Sequence, residues 1–385
     1  MNVLIVGSGM YVTGRGGTGM GTVLTSVMQA LSDNNTNRIT VCATSKDNAA
    51  MVSEAVERIR NALGLSSTVY YEAFDGTRTG LAALARDRKI DVAIISTPDH
   101  FHFEQLQTLM SLGIHCLCMK PLVPTVAEHQ ILAELAADQG VHAAIEFHKR
   151  WDESNLHVRK AILEGRLGKL HNISVDYSQR IMIPTEVFAG WVEQTNIFQY
   201  LGIHYVDLVQ WLTDSVPIRL CCHGTMGMLK EHGLNTWDSV HVWLTWRRQN
   251  GDEYLSQFNL SWIDSNRSSA LSNQRFGVLG TRGRYEVDQC NRGISATLQD
   301  DGLQYINPWF SELLPSPDGR LEMQGYAYKS IAQFLNDCQA ILKGELVARS
   351  LIGRRPTIAD CIESTRVIEC VNRCLKDGVN GFVRV

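Results

Sequence analysis

The chain lacks any stretch near the ~18–20 consecutive apolar residues that a membrane span needs. It also lacks a charged leader: the apolar run from Met1 stops at Gly7, too short for a secretory signal. That leads us to expect a soluble, cytoplasmic protein with no membrane partner. A basic face is missing too. Net charge is −4 with 36 Lys and Arg against 40 Asp and Glu, which argues against a nucleic-acid footprint. The ten cysteines are scattered and, without a secretory signal, are expected as reduced thiols. Cys370 and Cys374 sit one helical turn apart, but no paired His or Cys spacing completes a set, so no metal is expected. Internal repeats, low-complexity tracts and long linkers are absent as well.

What remains is an ordinary globular composition, 44% hydrophobic and 20% charged over 385 residues, a length that suits two domains. The first part alternates strand and helix patterns. Strands are expected at Val3–Val6, Ile39–Ala43, Ile90–Ser96, Cys116–Met119 and Val141–Phe147, with helices between them, for example at Thr22–Leu31, Phe103–Leu112 and Thr125–Gln139. This alternation argues a doubly wound parallel sheet. After about Arg150 the pattern turns β-rich, with segments near 173–178, 218–225, 239–245, 254–262, 275–279 and 284–287. A helix near 197–212 interrupts them, and helices at 326–342 and 357–376 close the chain. The fold class expected is an α/β Rossmann domain, 1–150, followed by an α+β domain, 151–385, with a large open, mostly antiparallel sheet. The C-terminal helices of that second domain are free to pack back on the first.

Gly7-Ser8-Gly9 directly follows the first strand. Gly7 permits a tight turn and Gly9 lets a pyrophosphate approach the backbone. Val12 stands where a third glycine is usual, and a glycine-rich extension from Gly14 to Gly21 follows, in which Arg15 offers a positive charge. Ser8, Met10 and Tyr11 belong to the same candidate dinucleotide loop. An NAD-selective site usually ends its second strand with Asp or Glu. Here Thr44, Ser45 and Lys46 stand there, which suits the 2′-phosphate of NADP better, although Asp47 follows closely.

Thr97-Pro98-Asp99-His100-Phe101-His102 follows the third of these strands, Met119-Lys120-Pro121 follows the next, and Gly202-Ile203-His204-Tyr205-Val206-Asp207 lies on a helix of the second domain. In this order and spacing the elements resemble the Gfo/Idh/MocA family of oxidoreductases. The resemblance covers nearly the whole chain, including Val278–Gly283 and Arg355-Pro356-Thr357. It implies a Rossmann domain binding NAD(P), with Thr97, Pro98, His102 and Lys120 also near the cofactor, and a sheet domain that covers the substrate. It further implies that Lys120 and His204 act on the reacting carbinol. Histidine suits proton exchange at neutral pH, and a lysine can stabilise developing alkoxide charge.

Two departures from the family pattern stand out. Met119 replaces the usual Glu before Lys-Pro, and Tyr200 replaces an Asp four residues before His204. Tyr200 is expected either to bond the substrate oxygen or orient His204, or to be a packed ring. Glu146–Asp152 lies at the domain junction, where His148 and Arg150 are candidate substrate contacts. The expected function is NAD(P)-dependent hydride transfer to or from a secondary alcohol or ketone of a sugar, sugar derivative or cyclitol, with NADP the favoured cofactor. The rival is a sensor on the same fold that binds dinucleotide and sugar without turnover. A homodimer or homotetramer through the C-terminal sheet is expected.

Overall fold

The computed structural model describes residues 1–14, 19–32, 37–379 and 381–385. Arg15, the candidate cation of the glycine-rich loop, lies outside them. The chain divides into two compact units, one of Met1–Trp151 with Trp309–Ile362, the other of Asp152–Pro308 with Glu363–Val385.

In the first unit six strands form one parallel sheet: β1 (Asn2–Val6), β2 (Arg38–Ala43), β3 (Val69–Ala73), β4 (Val92–Ile95), β5 (His115–Cys118) and β6 (Ala143–Ile145). Their order is β3-β2-β1-β4-β5-β6, so the chain reverses direction across the sheet between β1 and β4. β1, β4 and β5 are almost wholly apolar, as strands covered on both faces must be. β3 was not expected from the sequence. Its residues Val69-Tyr70-Tyr71-Glu72-Ala73 are only partly buried at the sheet edge, so they form no apolar run.

The expected helix at 22–31 is Val23–Ala30, and a single short turn, Met10–Thr13, precedes it. Helix Tyr326–Leu342 matches its expected bounds. Its Ile331, Phe334, Leu335 and Cys338 share one core with Val23, Leu24 and Val27 of helix Val23–Ala30 and with Val3 and Ile5 of β1. A hairpin of Glu312–Pro315 with Leu321–Gln324 also belongs to this unit. Thr357 was expected to cap a helix running to 376. Instead it opens a 3₁₀ turn, Ile358–Asp360, and the α-helix begins at Ile362. The cause is local: Ile145 donates its N–H to the Pro356 carbonyl, and Thr357 bridges to Ala144 on β6, which holds this segment extended.

The second unit carries β7 (Leu170–Arg180), β8 (Ser215–Thr225), β9 (Ser239–Arg248), β10 (Glu253–Asp264), β11 (Ser272–Gly280) and β12 (Gly283–Asp288). The sheet order is β12-β11-β7-β10-β9-β8, extended past β8 by the short strand Val383–Arg384. Every neighbour pair is antiparallel except β7 with β10. Buried and exposed residues alternate along β7 and β10, the mark of a sheet packed on one face. That face meets helices Ile203–Thr213 and Ile362–Asp377 through Tyr205, Leu208, Leu212, Val367 and Val371. The buried Trp246 and Trp262 each donate the indole N–H, to Ser256 Oγ at 2.7 Å and Gln179 Oε1 at 3.1 Å.

No helix among the described residues is long and apolar enough to cross a membrane. None of the ten cysteines is in a disulfide. No cluster of three potential metal ligands occurs among the described residues.

Candidate active site

In a parallel sheet the carboxyl ends of all strands lie on one edge, and ligands settle where the strand order reverses. Gly7-Ser8-Gly9 leaves the end of β1, and Thr97-Pro98 follows the end of β4 after Ser96. These two segments flank that reversal point. Gly7 has φ 109°, and a Cβ there would stand 2.2 Å from the Ser96 carbonyl oxygen. Only glycine lets β1 end so close to the chain leaving β4. At Gly9 the situation is opposite, with no atom of the described residues within 4 Å of where a Cβ would be. The backbone there is open to a bulky group, as a pyrophosphate requires. Ser8 is buried, Met10 and Tyr11 are half-buried, and Thr13 Oγ1 donates to the Ser8 and Gly9 carbonyls at 3.3 Å each, closing the turn. These residues fit a dinucleotide.

At the end of β2, Thr44 and Lys46 are exposed and Ser45 is half-buried. Ser45 Oγ donates to the Asp47 carboxylate at 3.3 Å and accepts from the Asp47 N–H at 3.2 Å. Asp47 is thus folded back onto Ser45 at the start of helix Asn48–Leu63.

The Thr-Pro and Lys-Pro segments are tied together by His102. Its Nε2 faces the Thr97 carbonyl at 2.9 Å, and its Nδ1 faces those of Pro121 and Leu122 at 2.8 and 3.1 Å. Burial holds its pKa below the usual value, against the opposing pull of Asp99 and these carbonyls. Thr97 Oγ1 donates to Gln105 at 2.7 Å. Both Thr97 and His102 therefore brace the loops that carry Pro98 and Lys120.

Lys120 follows β5, and its ammonium is pushed from 10.5 down to about 7. Burial is the main cause, and the carboxylates of Glu146 and then Asp99 oppose it. Neither acid was singled out as a site residue from the sequence. The sequence carried no signal for Glu146: only the register, with Cys118 on β5 opposite Ile145 on β6, makes the residues just past each strand end neighbours. His148 Nδ1 lies 2.7 Å from Glu146 Oε2, and its ring packs against Phe310 and Tyr326. Arg150 reaches Cys361 Sγ at 3.6 Å.

In the second unit, Phe198–Gly202 forms a π-helical turn that runs into helix Ile203–Thr213. His204 is buried near the start of that helix. The expected helix was regular, with Tyr200 one turn before His204 on the same face. The π turn changes that spacing, and such turns are frequent at functional sites. The Tyr200 ring is enclosed by Phe188 at 4.8 Å and by Trp191 and Trp262 at 6.0 Å each. A packed ring was one of the two expectations for Tyr200; its three partners were not readable, because those rings come from separate segments.

Two family models match. Residues 1–147 match the oxidoreductase family with an NAD-binding Rossmann fold, and residues 155–286 match the GFO/IDH/MocA C-terminal domain. The chain belongs to the Gfo/Idh/MocA family. Among its relatives is the scyllo-inositol 2-dehydrogenase (NADP(+)) IolW of Bacillus subtilis, 30% identical over 131 residues, 33% of this chain and 36% of that protein. The inositol 2-dehydrogenase of Rhizobium meliloti is 23% identical over 54% of this chain and 58% of its own length. The chain thus matches only about a third of the length of the first of these and a little over half of the second. The scyllo-inositol dehydrogenase of Lactobacillus casei, solved with NAD(H) and scyllo-inositol, shares the fold at TM-score 0.65 and 13% identity, over all of this chain and 98% of its own.

Proposed function

We propose that this Gfo/Idh/MocA oxidoreductase is an NAD(P)-dependent dehydrogenase or reductase of a secondary alcohol or ketone on a sugar, sugar derivative or cyclitol. The observation that carries the reading is the place of Lys120, a half-buried amine just past β5 at the carboxyl edge of a nucleotide-type sheet, where desolvation holds it below the ordinary lysine value. A purely structural lysine gains nothing from such burial. A lysine that must exchange or share a proton near neutral pH does.

The nicotinamide, when bound, supplies the hydride acceptor or donor. Gly7, Ser8, Gly9, Met10 and Tyr11 hold the pyrophosphate end, and Thr44, Ser45 and Lys46 hold the ribose, with NADP preferred over NAD. His204 takes the hydroxyl proton during oxidation. Lys120 bonds the substrate oxygen and stabilises the charge that develops on it. Tyr200, His148 and Arg150 contact or orient the substrate. Relatives named as inositol dehydrogenases support the cyclitol end of this range.

The test is dinucleotide titration followed by a panel of polyols, sugars and sugar acids, read by nicotinamide absorbance. Turnover of at least one cyclitol or sugar is expected. Tight dinucleotide binding with no turnover across the panel would favour the sensor instead.

A further inference from the structure

Glu146 is 2% exposed, and a buried carboxylate is costly unless it is fully bonded and met by a positive charge. Its place is fixed from several sides. The Glu146 N–H donates to the Cys118 carbonyl at 2.8 Å, which locks it beside the end of β5, two residues before Lys120. Ser330 donates its hydroxyl to Oε1 at 2.8 Å, and His148 Nδ1 sits 2.7 Å from Oε2. The imidazole is itself held between Phe310 and Tyr326. Met119, immediately before Lys120, offers no charge of its own.

We propose that Glu146 is a positioning residue for Lys120: a carboxylate delivered by the neighbouring strand that keeps the lysine's proton on and its Nζ aimed, with Ser330 and His148 fixing the carboxylate in turn. The proposal rests on the catalytic role given to Lys120 above. Two charges act on this amine against its burial, Glu146 from the end of β6 and, more weakly, Asp99 from the turn after β4. With the amine balanced near 7, removing either shifts its protonation within the working pH range.

The experiment titrates Lys120 itself, by NMR of carbon-labelled lysine with the signal assigned through Lys120→Arg. It compares the full-length protein with its Glu146→Gln, Glu146→Asp and Asp99→Asn variants. Glu146→Gln keeps size and hydrogen-bonding capacity, and should lower the Lys120 midpoint by roughly 1 unit or more, the usual effect of losing a close opposite charge. Glu146→Asp should fall between it and the parent, and Asp99→Asn should shift it less than Glu146→Gln. The pH limb of kcat/KM that reports Lys120 should move by the same amount, with dinucleotide affinity unchanged. A midpoint unmoved by both Glu146 variants, or moved more by Asp99→Asn, would overturn the proposal. The titration needs no substrate, so absence of turnover in the parent would count against the dehydrogenase reading and leave the Glu146 result standing.

Discussion

We propose that Ser45 bears on which ribose the end of β2 accepts. Its hydroxyl is bonded to Asp47, while Thr44 and Lys46 are exposed beside it. A 2′-phosphate placed there would meet two hydroxyls and an ammonium, although the Asp47 carboxylate lies within reach of the same hydroxyl. Ser45→Asp adds a second carboxylate at this point, so NADP(H) affinity should fall and NAD(H) affinity should rise or hold. Dissociation constants of both dinucleotides at one ionic strength check this, and an unchanged ratio contradicts it. In the second unit, His204→Asn should lower kcat for alcohol oxidation by roughly 10²–10⁴-fold, the usual worth of a general base. Tyr200→Phe keeps the ring inside its enclosure of Phe188, Trp191 and Trp262, so it reports on the hydroxyl alone. We expect a cost of about 1–3 kcal/mol in kcat/KM if that hydroxyl bonds the reacting oxygen. Unchanged kinetics would leave Tyr200 as packing.

Between elements, Asp152 joins the start of helix Glu153–Leu163 to the segment after β12. Its Oδ1 accepts from the Ser154 N–H at 3.0 Å as the helix cap. Its Oδ2 accepts from Arg292 at 2.5 Å and Gln289 at 3.0 Å, and Gln289 also accepts from the Tyr205 hydroxyl at 2.5 Å. Asp152 is fully buried and Arg292 nearly so. Removing one partner strands the other's charge, so Asp152→Ala should destabilise by about 3–5 kcal/mol, read as a lower urea midpoint. A loss near zero would mean that the segment relaxes to solvent.

Short, largely apolar runs between helical patterns made β1, β4 and β5 readable from the sequence, and β-rich composition did the same for β7 and β10. β3 was not readable, because an edge strand with half-buried residues has neither signal. Lys120 could be found from its motif. Glu146 could not be assigned to it, because 26 residues separate them and only the strand register makes them neighbours.

At the scale of the whole molecule, Trp309–Ile362 completes the first unit, and no change of composition at residue 309 marks the crossing. This unit also buries His102, His115, His129 and His142, and burial holds each below the usual histidine pKa. His142 is driven to about 4. The unfolded chain binds these protons below about 6.5, whereas folded His142 resists until about 4. These histidines should therefore add no slope above about pH 7 and should make stability fall as pH drops from about 6.5 towards 4, with about 3 kcal/mol from His142 alone as an order of magnitude. Urea midpoints across that window, repeated on His142→Gln, check this. The variant should lose part of the slope, and an identical slope would contradict the assignment.

We propose that the chain is a catalyst and that Lys120 serves the reacting oxygen. The measurement that tests it most directly pairs dinucleotide affinity with turnover for Lys120→Ala, on whichever cyclitol or sugar the parent uses. We predict nearly unchanged dinucleotide affinity with turnover almost abolished. Near-normal kcat in Lys120→Ala would contradict the account.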